Sequence, residues 1–194
     1  MPRSTGTTSK NTPGTTSKAK LAKPNKSSKA GKPSLAPAEA KDAIALLEAD
    51  HREVEELFER FEQTTGDATK RDLANAICVA LKVHARLEEE LFYPAAFAAV
   101  KDKSLLDEAR VEHASAKDLI AQIEAGAPGE ALYDARVRVL AEYIDHHVME
   151  EEDEIFPQCR AAKMDLEGLG RILALRKQEL MAGFVVSNPI LALS

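Results

Sequence analysis

The feature that most constrains this chain is a repeated pairing of histidine and glutamate, His84-xxx-Glu88 and His147-xxx-Glu151, 63 residues apart. Each pair runs on through an acidic cluster to an aromatic-proline ending, Tyr93-Pro94 in the first copy and Phe156-Pro157 in the second. Each is also preceded by a segment with one histidine on an apolar stripe: His51, and His113 after a spacing of 62 residues. On a helix, positions i and i+4 share one face about 5–6 Å apart. Each HxxxE can therefore aim an imidazole and a carboxylate at one volume. One half cannot enclose that volume, whereas two facing halves can.

The hydrophobic pattern supplies the helices this requires. The first is predicted over about 38–63, with Ile44, Leu47, His51, Val54, Phe58 and Phe61 on one stripe. The break at 64–67 places Asp67 as the cap of a second helix that reaches about Ala99, bent or interrupted near Pro94. Ser104 with Asp107 has the spacing of a capping box for a third helix ending at 126–129. The fourth runs from about Glu130 through the region of Pro157. A fifth, from about Asp165 to Met181, is amphipathic through Leu166, Leu169, Ile172, Leu173, Leu175 and Leu180. The predicted class is all-α: an up-down-up-down four-helix bundle with a short extra C-terminal helix and a disordered N-terminal tail.

The tail stands apart in charge. Residues 1–37 hold eight of the 26 Lys and Arg residues and none of the 32 Asp and Glu, in a Ser/Thr/Lys/Pro-rich composition. Such a segment cannot offset its ordering entropy and is expected to be disordered, as a solvated extension or a weak contact for nucleic acid or another polyanion. The division expected is 1–37 tail, 38–162 bundle, 163–194 C-terminal helix and tail. No apolar run is long enough to span a membrane and no secretory leader is evident. With only Cys78 and Cys159, a reducing, cytoplasmic setting is the expectation, both thiols being structural.

A buried ionised glutamate without compensation costs several kcal/mol or neutralises itself. Glu88 and Glu151 at matching places, each beside a histidine and facing a central His51 or His113, call for strong compensation. A pair of metal ions supplies it, each carboxylate serving both ions and each ion taking imidazoles from its own side. The ligand types suit iron, with zinc or manganese also compatible. The neighbouring Glu89, Glu90, Glu150, Glu152 and Asp153 turn about 100° per residue away from that face and are expected to be solvated.

These motifs, Asp50-His51, HxxxEEExxxYP from His84, Glu112-His113, and HHxxEEExxxFP from His146, resemble the haemerythrin-like HHE cation-binding family over about residues 40–160. The resemblance implies a four-helix bundle holding two iron ions with an oxo or hydroxo bridge. Its metal ligands would be His51, His84, Glu88, His113, His147 and Glu151. It further implies chemistry with O2, H2O2 or NO, in a monomer or homodimer. Oxygen-carrying members have another histidine one turn after the third-helix ligand, where this chain has Lys117, so the pattern is that of the H-HxxxE-H-HxxxE branch. His146 is the remaining candidate for that nitrogen, through a local π-bulge. Tyr143, one turn before His147, is a candidate catalytic residue placed to donate a hydrogen bond or proton to a bound ligand. Consumption of peroxide or nitric oxide, sensing of oxygen or iron, and iron donation to damaged centres are the functions open to such a site.

Overall fold

The computed structural model describes residues 42–187, all helices and connections. Helix α1 (Ala43–Gln63) opens on Asp42, whose carboxylate accepts from the Ala45 amide at 2.8 Å. This start falls within the expected first helix, and the residues before Asp42, including the basic tail, lie outside the described residues. The N-cap of α2 (Asp67–Leu87) is Gly66, so Asp67 sits inside the first turn rather than capping it. There its negative charge still favours the positive helix end.

Beyond Leu87 the second helix widens into a π-helical turn, Glu88–Phe92, and continues as α3 (Tyr93–Ala99). Proline lacks an N–H, and its ring clashes with the carbonyl four residues back. At Pro94 the chain relieves this by lengthening the preceding hydrogen bonds, so that Tyr93 N–H donates to the Glu88 carbonyl five residues earlier. The fourth bundle segment repeats the device. Helix α5 (Tyr133–Glu150) passes through the π turn Glu151–Ile155 into α6 (Phe156–Ala161), and Phe156 N–H donates to the Glu151 carbonyl. Each π turn therefore begins on the glutamate of an HxxxE pair.

Between them stands α4 (Ser104–Ala125), whose predicted capping box at Ser104 and Asp107 is not formed. Asp102 instead accepts from the Ser104 amide and hydroxyl at 3.0 and 2.8 Å. The α4–α5 connection includes Gly129 and Leu132 at positive φ.

Helices α1, α2, α4 and α5 form the four-membered bundle, each packed on two of the others. Its interior is two apolar clusters. One gathers Ile44, Leu47, Leu87, Phe92, Leu106 and Phe156; the other gathers Phe61, Ile77, Ile120, Tyr133, Val137 and Leu140. The buried polar residues Asp50, His51, His84, Glu88, His113, His147 and Glu151 come from the same helices.

Helix α7 (Leu166–Ser187) is not short: at 22 residues it matches the bundle helices, and it packs on α1 and α2. Leu173 and Leu180 are buried, whereas the expected stripe members Ile172 and Leu175 are 52% and 64% exposed. The stripe follows Leu166, Leu169, Leu173 and Leu180, and Ile172 and Leu175 fall off that line at 3.6 residues per turn. Among the described residues no helix is long and apolar enough to cross a membrane.

Candidate metal centre

The two HxxxE segments and the two central histidines meet in one buried cluster. Glu88 and Glu151 are completely buried, and the four histidines nearly so. Glu88 spans both halves: its Oε1 lies 3.1 Å from His84 Nε2 and its Oε2 lies 3.3 Å from His113 Nε2. Glu151 Oε2 lies 3.3 Å from His51 Nε2 and 3.7 Å from His147 Nε2. The imidazoles pair by their Nε2 atoms at 3.1 Å, His51 with His84 and His113 with His147.

The far side of each ring fixes which nitrogen carries hydrogen. His51 Nδ1 donates to Glu152 at 2.8 Å, His113 Nδ1 to Glu89 at 3.0 Å, and His147 Nδ1 to Glu112 at 2.8 Å. His84 Nδ1 faces Asp50 Oδ2 at 3.7 Å. An imidazole donating from Nδ1 presents a bare lone pair at Nε2, the form in which it ligates metal. Such lone pairs meeting at 3.1 Å, among two carboxylates, call for positive charge between them.

Protons alone meet that need incompletely. Both oxygens of Glu88 and Oε2 of Glu151 are buried without a hydrogen-bond partner, a costly condition for a carboxylate. Burial alone would raise the Glu88 pKa, but the facing His84 and His113 imidazoles hold it well below the usual carboxylate range. Burial likewise opposes charge on His84, yet Glu88, Asp50 and Glu151 lift its pKa to about 10. The cavity thus attracts cations. Its atoms form two groups with metal-ligand proximity: His51, His84, Glu88 and Glu151, and Glu88, His113 and His147.

The residues around this core differ from expectation in instructive ways. Glu89 and Glu152 are not solvated bystanders; each reaches across to a histidine of the opposite half. Asp50 and Glu112, each one residue before a central histidine, face the HxxxE histidine of their own half. The signal was in the sequence, as an acidic residue before each central histidine and another after each motif glutamate. His146 is 56% exposed and pairs with Glu150 at 3.3 Å, outside the core, because the π turn begins at Glu151 and leaves the preceding helix regular.

Tyr143, also on that regular stretch, is 46% exposed over a shallow crevice at His113 and His147. The hydroxyl inside the cluster belongs to Tyr93, which donates to Glu151 Oε1 at 2.9 Å and lies 3.4 Å from His113 Nε2. A π turn brings residues i and i+5 into line, which is why Tyr93 follows Glu88 inward. Phe156 occupies the matching place after Glu151 and stacks on His51 at 6.0 Å, with no hydroxyl. Burial and the charges of Glu151 and Glu88 push the Tyr93 pKa well up, so it stays a donor. Cys78 and Cys159 are free and buried.

A family model described as the Hemerythrin HHE cation binding domain matches residues 42–159. A protein named DNA nickase from Nostoc sp. (strain PCC 7120 / SAG 25.82 / UTEX 2576) is 31% identical over 117 residues, 59% of this chain and 32% of that protein. The chain thus spans about a third of that relative's length. A solved structure of a hemerythrin HHE cation binding domain-containing protein from Mycobacterium kansasii superposes with a TM-score of 0.66 at 23% identity. That likeness is one of fold, and covers 76% of this chain and 93% of the other.

Proposed function

Because the chain belongs to the hemerythrin HHE cation-binding family, we propose that it is a non-haem di-iron protein that binds or reduces O2, peroxide or nitric oxide. In this reading His51, His84, Glu88 and Glu151 would hold one ion, and Glu88, His113 and His147 would hold the other. The observation that carries it is Glu88: a fully buried carboxylate whose two unsatisfied oxygens each face an Nε2 from a different half of the bundle. Four imidazole nitrogens and two carboxylates suit iron, and would also accept zinc or manganese. A bound iron pair would supply two neighbouring redox centres able to exchange electrons with a small O–O or N–O ligand.

The protein's own residues support that use. A cavity of about 30 Å³ touches all four histidines. Val54, Leu81, Ala116, Ile120, Ile144 and Val148 line its walls. Its size suits a small ligand such as a diatomic molecule. Tyr93, by donating to Glu151 Oε1, leaves Oε2 turned toward the histidines. Glu152, Glu89 and Glu112 hold the Nδ1 protons, so three imidazoles keep one tautomer and one orientation.

The test is consumption of hydrogen peroxide and of nitric oxide by the iron-loaded chain, followed with electrodes. Loss of either ligand faster than with Glu88→Ala is expected. Consumption of neither would sink the catalytic part of the proposal.

A further inference from the structure

Each histidine of the cluster has a carboxylate behind it, and each of those carboxylates has a basic partner. For three of them the partner comes from the helix that carries the histidine. Arg52, next to His51, donates to Glu152 at 2.5 Å. Lys117, one turn after His113, donates to Glu89 at 2.5 and 2.6 Å. His146, next to His147, lies 3.7 Å from Glu112.

His84 breaks the pattern. The basic residues nearest it on α2 are committed elsewhere, Lys82 to Glu124 and Arg86 to Glu90. The partner of its carboxylate, Asp50, comes instead from α7: Lys177 Nζ donates to Asp50 Oδ1 at 2.5 Å and also lies 3.7 Å from Glu53. Lys177 stands one turn after the buried Leu173, on the face that α7 turns to the bundle. Its neighbour Arg176 donates to Glu90, in the π turn that follows Glu88, at 2.8 Å. Helix α7 begins at Leu166, beyond the residues 42–159 that carry the family match.

We propose that Lys177 is a positioning residue for the metal centre, acting through Asp50 on His84, so that α7 governs one of the two metal positions. The inference rests on the metal-centre reading above. Asp50 is buried, and an unpaired carboxylate there would be costly. Lys177 holds it by one oxygen, leaving Oδ2 to face His84 Nδ1. Of the four outer contacts this is the longest, 3.7 Å against 2.8–3.0 Å, and the buried His84 Nδ1 has no hydrogen bond of its own, so a small shift of Asp50 decides whether one forms. The position taking His84 is thereby coupled through Asp50 to α7.

The test loads the full-length chain with ferrous iron and follows its loss to a chelator, its absorption spectrum and its thermal midpoint. Lys177→Met keeps most of the packing stem and removes the charge. It should speed release of one of the two ions by about ten-fold, the scale typical of outer-shell changes, and alter the spectrum. Lys177→Arg should restore both. Arg176→Met, which removes the α7 contact to Glu90 but leaves Arg86 on it and does not touch Asp50, should leave them as in the wild type. Wild-type release and spectrum in Lys177→Met would overturn the proposal. So would equal losses in Lys177→Met and Arg176→Met that track a lowered midpoint, since α7 would then act by packing alone. A wild-type chain that takes up no iron would remove the metal-centre reading itself, and this proposal with it.

Discussion

Replacing Tyr93 by phenylalanine removes a single hydroxyl and keeps the ring that packs on His113 at 5.4 Å and on Phe92 at 6.1 Å. The lost interaction is the 2.9 Å donation to Glu151 Oε1, buried and charge-assisted. Hydrogen bonds to charged groups contribute about 1.5–3 kcal/mol, and orphaning the buried partner costs on the same scale. With Oε2 already lacking a hydrogen bond, Glu151 would be left with none. A loss of about 2 kcal/mol corresponds to roughly 30-fold in the folding constant. For a chain of this length it lowers the midpoint by about 4–8 °C. Urea and thermal denaturation of the metal-free protein, with circular dichroism as the readout, measure it directly. Tyr143→Phe is the matched control: its hydroxyl is half-exposed, and a surface change of this kind stays within about 0.5 kcal/mol. Equal stabilities for Tyr93→Phe and Tyr143→Phe would refute the placement of Tyr93 inside the cluster.

Other consequences are equally open to measurement. Burial pushes the Cys78 thiol up to about 12 and Cys159 to about 11, so alkylation of the native protein at pH 8 should be more than about 100-fold slower than in denaturant; rapid native labelling would contradict this. Leu173→Ala should cost about 2–5 kcal/mol in a urea titration, and Leu175→Ala no more than about 0.5 kcal/mol. The metal-free protein should be most stable near neutral pH or a little below it. The raised His84 pKa contributes stability that is present below about pH 6.5 and lost as pH rises toward about 10. The lowered pKas of Asp50, Glu89 and Glu112 contribute stability that is present above about pH 5 and lost as pH falls through their folded values. A flat stability profile from pH 3 to 10 would exclude those contacts.

Much of this was legible because helical periodicity and the HxxxE spacing are both local signals. His84 and Glu88 share a face by geometry alone, and His51 and His113 lie on stripes that any bundle must bury. What escaped was of two kinds. The π turns at Glu88 and Glu151 arise from relief of Pro94 and Pro157, and they rotate the chain so that Tyr93, rather than Tyr143, carries the inner hydroxyl. Regular spacing cannot express that shift. The second kind is tertiary pairing: Glu89 reaching His113, Glu152 reaching His51, and Lys177 reaching Asp50 cross between helices whose register no periodicity fixes. At Ile172 and Leu175 the reason is simpler: a leucine-rich helix offers several apolar lines, and only packing on α1 and α2 selects one.

The proposed function stands or falls on whether the four histidines with Glu88 and Glu151 hold a metal pair. Metal analysis of the chain purified without added metal tests it most directly, alongside His84→Ala and Glu88→Ala whose fold is checked by circular dichroism. About two iron ions per wild-type chain and loss of metal in both folded variants are expected. Protein purified without metal that then takes up none, or that holds a single zinc ion, would contradict it.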